Sequence, residues 1–119
     1  MYIRHKKLQA DFYKTAGGTE PVREWLKELS QEDRRTVGQN IADVEYGWPV
    51  GMPVSRSLGN ELWEVRSNIS HGRIARVIFY ISKNRMILLH GFIKKTRKTP
   101  KQDIDTAIKR KNEVKNYEQ

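Results

Sequence analysis

Three strand-like runs follow one another almost without interruption between Leu62 and Lys94, and they constrain the fold more than any other feature of the chain. Leu62 to Ser67, Arg73 to Ile81 and Arg85 to Lys94 are separated only by Asn68 to Gly72 and Ser82 to Asn84. Connections so short and turn-like predict an antiparallel meander.

The remaining elements arrange themselves around it. Leu8, Ala10 and Phe12 alternate with Gln9, Asp11 and Tyr13, the period of an edge or near-edge strand with one buried face. After Gly17 and Gly18, Pro21 occupies a first helical position behind Thr19 and Glu20, and Val22, Trp25, Leu26 and Leu29 recur at helical spacing. Ser30, with Asp33 three residues on, resembles a capping box for a second helix whose Val37, Ile41 and Val44 share a face. Gly47 and Pro49 end it, and Gly47 to Asn60 reads as a loop. Thr99, Pro100 and Gln102 supply an N-cap, an N1 proline and an N3 residue for a last helix with a thin apolar stripe, Ile104, Ala107 and Ile108. From Lys109 to Gln119 the chain is nearly all polar, so this end is expected to fray or to dock on something outside the chain. The order predicts a single α+β domain with its helices packed on one face of the sheet and the other face open.

Strand alternation then sorts side chains between the faces. Trp63 and Val65, then Val77, Phe79 and Ile81, then Ile87, Leu89 and Ile93 are expected to face the helices. Leu62, Glu64 and Arg66, then Arg76, Ile78 and Tyr80, then Leu88, His90, Phe92 and Lys94 point the other way. Three strands thus place Arg66, Arg76, Tyr80, His90, Phe92 and Lys94 on one surface, a basic groove with an aromatic floor. Single-stranded nucleic acid matches such a surface, because its phosphates call for spaced cations and its unpaired bases stack on rings or guanidinium planes. Each residue alone has a plainer reading: rings that pack, a hydrogen-bonded histidine, an Arg66 paired with Glu64 or Glu61. The convergence favours the groove. His5 and His71 fall in an N-terminal segment and a turn and read as solvated.

Charge agrees with this placement. The 119 residues carry 23 Lys and Arg against 14 Asp and Glu, a formal net charge of +9. Up to Asn60 nine cations face eight acids, and beyond it fourteen face six, so +8 of the +9 lies in the second part. A one-sided excess makes a binding field where an even one makes only a solvated surface. Its densest window, Lys94, Lys95, Arg97, Lys98 and Lys101, contains no acid. With no cysteine, disulfides, thiolate metal sites and thiol nucleophiles are excluded, which fits a reducing cytoplasm. The acids are scattered without metal-ligand spacing, no Gly-rich nucleotide loop or nucleophile elbow occurs, and neither metal nor cofactor is expected. Met1 to Ala10 has no apolar run of signal-peptide length, and no membrane-spanning run occurs, so the expected setting is the cytoplasm.

The runs Leu62-Trp63-Glu64-Val65-Arg66, Arg73-Ile74-Ala75-Arg76-Val77-Ile78-Phe79-Tyr80 and Leu88-Leu89-His90-Gly91-Phe92-Ile93-Lys94-Lys95-Thr96, with Lys98-Thr99-Pro100, resemble the RelE/ParE toxin superfamily, and within it the HigB-like, phage-derived branch. The helix start Pro21-Val22-Arg23-Glu24-Trp25-Leu26 fits the same branch. The lead Met1 to Lys7 and the long last helix are less typical of the shortest members. The resemblance implies a RelE-like domain over residues 1–119. Its antiparallel sheet is mostly the C-terminal meander, with two N-terminal helices on one face and a C-terminal helix. It also implies the toxin of a type II toxin–antitoxin pair that cleaves messenger RNA on the ribosome without metal. The partners are then an antitoxin, commonly a helix-turn-helix DNA-binding protein, the ribosome and messenger RNA. The alternatives are a ParE-like inhibitor of DNA gyrase and an inactive nucleic-acid-binding relative.

The resemblance carries the family's basic strand positions onto Arg66 and Arg76 and its final-strand catalytic region onto His90, Phe92, Lys94 and Lys95, with Lys98 added. Together with the strand-face reading, catalysis is expected of Arg66, Arg76, His90, Lys94 and Lys95, and RNA binding of Arg73, Tyr80, Phe92 and Lys98. Metal-free cleavage uses the ribose 2′-OH against the adjacent phosphorus and needs a base, a donor for the leaving 5′-oxygen and positive charge on the transition state. Histidine suits proton transfer at neutral pH, which singles out His90, with Lys94 and Lys95 as alternatives. Arg66 and Arg76 hold their protons and fall to phosphate binding and charge stabilisation. Phe92 or Tyr80 is left to stack on a base.

Overall fold

The structure is a computed structural model that describes residues 5–49, 51 and 54–118. The first four residues of the N-terminal lead and part of the loop before Ser55 lie outside them. The elements are β1 (Gln9–Phe12), α1 (Pro21–Glu28), α2 (Gln31–Gly47), β2 (Ser55–Gly59), β3 (Leu62–Ile69), β4 (Arg73–Ser82), β5 (Arg85–Lys94) and α3 (Lys101–Glu118).

The expected meander is present: β3 pairs antiparallel with β4, and β4 with β5. Lys83 and Asn84 both take positive φ, 50° and 66°, the two-residue turn whose twist suits a hairpin. The full order is β1-β5-β4-β3-β2, and β1 runs parallel to β5, so the sheet is mixed. The segment read as loop contains β2, a short edge strand on β3 with a register shift between Ser57 and Gly59. Its sequence, SRSLG, lacks the apolar alternation that marks a strand, and the pairing comes from the partner.

The helix starts follow local chemistry. Pro21 opens α1, and the Ser30 hydroxyl accepts the Asp33 N–H at 3.1 Å to cap α2. The buried Asp33 carboxylate accepts the Ser70 N–H at 3.0 Å, its hydroxyl at 2.8 Å and Arg73 Nη2 at 3.0 Å. These bonds tie α2 to the β3–β4 turn and hold the Asp33 carboxyl below its ordinary value, Ser70 foremost. Val22, Val37, Ile41 and Val44 pack with Val65, Val77, Phe79 and Leu88 on this side of the sheet.

The second face is not open. The first half of α3 and Val114 close over it, where Ile104, Ala107 and Ile108 meet Leu62, Ile78, Tyr80, Ile87, Leu89 and Phe92. The polar end of α3 docks on its own domain instead of fraying. Lys111 donates to the Asn60 carbonyl at 2.5 Å, and Lys115 pairs with Glu61 at 2.5 Å. Periodicity could not show this, because the anchors are long cations whose stems lie along the surface.

Alternation holds throughout β3 and β4 and fails in β5. Ile78 pairs with His90 but Phe79 pairs with Leu88, leaving Leu89 as the extra residue of a bulge. Ile87 and Leu89 therefore face α3, and Leu88 faces α1 and α2, the reverse of the expectation. Beyond the bulge His90, Phe92 and Lys94 keep their expected side.

Candidate functional site

Apolar contacts cover one part of the α3-side face, and the part that carries Arg66 and Arg76 is polar. Arg66 pairs with Arg76, and Arg76 with Phe92, so one row crosses three strands. Glu64, Ile78 and His90 form the next row. After β5 the chain turns through Lys95 to Lys98 and brings the Arg97 carbonyl to this row. Arg76 donates to it through Nη1 at 3.1 Å, and Arg66 donates to the same oxygen through Nη2.

Beneath lies a buried carboxylate. Glu64 is fully buried and accepts Arg66 Nε at 2.7 Å and the Thr99 hydroxyl at 2.5 Å. Thr99, expected to cap α3, thus spends its donor on Glu64 and fixes where the loop ends. Arg76 is also 0% exposed, and its Nε and Nη2 have no hydrogen-bond partner among the described residues. Burial first, and Arg66 beside it second, push the Arg76 guanidinium below its ordinary value, with Glu64 opposing.

His90 closes the site on the α3 side. Its Nε2 meets Asp103 Oδ1 at 2.7 Å, and Arg110 Nη1 lies 3.5 Å from Nδ1. Arginine can only donate, so in the neutral ring Nδ1 accepts and the proton sits on Nε2, donated to Asp103. The His90 ring stacks on Phe92 at 5.4 Å and 22°, and the Arg76 guanidinium carbon is 5.9 Å from the same ring. Phe92 therefore links the histidine to the arginine row.

Arg66, Arg76 and His90 come together as placed from sequence, with Lys94, Lys95 and Lys98 exposed on the rim. Two other assignments land elsewhere, and a third stays in the site but is covered. Arg73 lies on the opposite side, bound to Asp33 and Ser70. Tyr80 is buried under α3, with Lys115 5.7 Å from its ring. Phe92, 8% exposed, is occupied by His90 and Arg76 and offers no free platform. His5 and His71 are exposed.

Sequence reasoning missed Glu64, Thr99, Asp103 and Arg110 as members of the site. Glu64 had a signal, since it shares a strand face with Arg66. Asp103 and Arg110 had none without knowledge of where α3 docks. Among the described residues no group of three or more His, Asp or Glu is placed to hold a metal ion. No helix among them is long and apolar enough to cross a membrane.

A family model described as phage-derived protein Gp49-like (DUF891) matches residues 24–112, three quarters of the chain, including every site residue named above. The chain belongs to the Gp49-like family. No curated protein matches it. The Gp49-like family is associated with toxin–antitoxin toxins. In this Gp49-like domain two adjacent arginines, a histidine hydrogen-bonded to a carboxylate and three exposed lysines thus lie on one side of the sheet.

Proposed function

We propose that this Gp49-like protein is the toxin of a toxin–antitoxin pair and an endoribonuclease that cuts messenger RNA on the ribosome in the cytoplasm without metal, held in check by an antitoxin of helix-turn-helix type. The observation that carries the reading is the meeting of the Arg66–Arg76 row with the His90–Asp103 pair under a lysine-lined rim.

In this reading Lys94, Lys95 and Lys98 draw in the RNA backbone, and Arg66 and Arg76 hold the scissile phosphate and stabilise the charge that builds on it. His90 exchanges a proton with the 2′-OH or with the leaving 5′-oxygen through Nδ1, once the long 3.5 Å contact from Arg110 gives way, and Asp103 holds the proton on Nε2 and fixes the tautomer. Lys94 and Lys95, the nearest mobile ammonium groups in sequence, are the alternative proton carriers. Requiring a 2′-OH explains selection of RNA over DNA. A shallow site leaves the ribosome to position the strand.

Induced expression with mapping of transcript 5′ ends tests the proposal. New ends within translated messages are expected. Intact messages alongside full growth arrest refute it, and a block in DNA supercoiling before translation falters moves the assignment to gyrase inhibition.

A further inference from the structure

Two arginines converge on one backbone carbonyl while the more deeply buried of them leaves two donors unused. Arg66 Nη2 and Arg76 Nη1 both donate to the Arg97 oxygen, yet Arg76 Nε and Nη2 are buried and have no partner among the described residues. Buried polar groups are almost always satisfied, and an orphan on a charged group is costlier than on a neutral one. A single neutral carbonyl oxygen is also a poor complement to two guanidinium groups, which are matched by an anion with several acceptor oxygens. Among the described residues no acidic side chain fills the gap: Glu64 is committed to Arg66 and Thr99, and Asp103 to His90.

The segment that supplies the carbonyl is held by few side-chain contacts of its own. Thr96 to Lys98 is exposed, and Lys95, Arg97 and Lys98 make no ion pair among the described residues. Its ends are firm, because Lys94 closes a paired strand and Thr99 is bound to Glu64. Within it the Thr96 hydroxyl donates to the Lys98 carbonyl at 3.3 Å.

We propose that residues 95–98 are a lid over an oxyanion site, with the Arg97 carbonyl resting where an oxygen of a phosphodiester binds. The free protein is then self-occluded. A tetrahedral anion displaces the carbonyl, takes the donors of Arg66 Nη2 and Arg76 Nη1 together with the adjacent unused Arg76 Nη2, and swings the lid's cations outward around the strand. Occlusion lowers affinity for any single free anion, since the closed population must be displaced first. The lid rests on the functional reading only in naming a phosphodiester as the anion; the site itself takes any such oxyanion.

Sulfate is the probe. On saturation with sulfate the ¹³C resonance of the Arg97 carbonyl is expected to move upfield as its two donors leave, and amide exchange at 95–98 is expected to rise. Arg66→Ala should weaken sulfate binding about tenfold or more, the scale of one lost hydrogen bond to a charged group. Thr96→Gly removes the internal brace and adds backbone freedom to the lid without touching a cation, and it should tighten sulfate about two- to fivefold. Sulfate binding that leaves the Arg97 carbonyl and lid exchange unchanged overturns the proposal, as does the absence of saturable binding or looser binding in Thr96→Gly. The two readings separate cleanly. Lid opening by sulfate in a protein that leaves ribosomal messages intact keeps the lid and discards the ribonuclease, and RNA cleavage with an unmoved carbonyl does the reverse.

Discussion

Thr99 donates its hydroxyl to Glu64 across 2.5 Å in a place where both residues are closed to solvent, at 3% and 0% exposure. This bond joins the entrance of α3 to the middle of the sheet. It sets the span available to residues 95–98 and, through Glu64, the posture of Arg66.

Removing that hydroxyl leaves a buried carboxylate oxygen without its donor. Thr99→Val is therefore expected to lower unfolding free energy by about 1–3 kcal/mol, read from urea denaturation. Thr99→Ser keeps the donor and should recover most of the loss. Equal stability of the Val and Ser variants would contradict the bond.

Arg76 offers the opposite balance. Its fully buried side chain has two orphaned donors, and Glu64 keeps two other partners when it is replaced. Arg76→Met should raise unfolding free energy by about 1–3 kcal/mol while abolishing growth inhibition. A variant that is more stable and still toxic removes Arg76 from the site; one that unfolds removes the energetic argument.

Lys94 and Lys95 are exposed on the rim, so substitution should touch function alone. Lys94→Ala and Lys95→Ala are each expected to stay within about 0.5 kcal/mol of the parent. Both should relieve growth arrest at matched expression. Full toxicity of the double variant takes the rim out of the mechanism.

Gly91 sits where the indole of Trp25 crosses β5. A Cβ there would overlap the six-membered ring of Trp25, standing 2.7 Å from its Cζ3. Gly91→Ala should cost about 1–3 kcal/mol by overpacking, measured as a fall in urea midpoint. Adding Trp25→Leu should return part of it, because the obstruction is the ring.

The Tyr13 phenol is pushed up to about 12 from 10.0, first by burial and then by its hydrogen bond to Glu113. Its folded value exceeds its unfolded value, so its contribution is complete below pH 10 and is lost as pH climbs toward 12. Stability should fall less steeply across that window in Tyr13→Phe than in the parent. Parallel slopes would place Tyr13 outside the linkage.

Much of this molecule is legible as sequence because the signals are local. The turn at Ser82 to Asn84, Pro21 at a helix start, the Ser30 cap and the two-residue period of β3 and β4 each depend on neighbours a few positions away. Those signals alone put Arg66, Arg76 and His90 on one face. They fail at Ile87, Leu88 and Leu89, where one bulged residue reverses the faces.

What tertiary structure decided is what covers that face and what each polar group finds there. Whether α3 lies on the same side as α1 and α2 or on the other depends on long-range packing of Ile104, Ala107 and Ile108, and no local pattern encodes the choice. That choice buried Tyr80 and Phe92, brought Asp103 to His90, and turned Glu64 and Arg76 from surface charges into buried ones. Burial then set the chemistry, because a guanidinium out of reach of water must find acceptors within the fold or wait for a ligand to supply them.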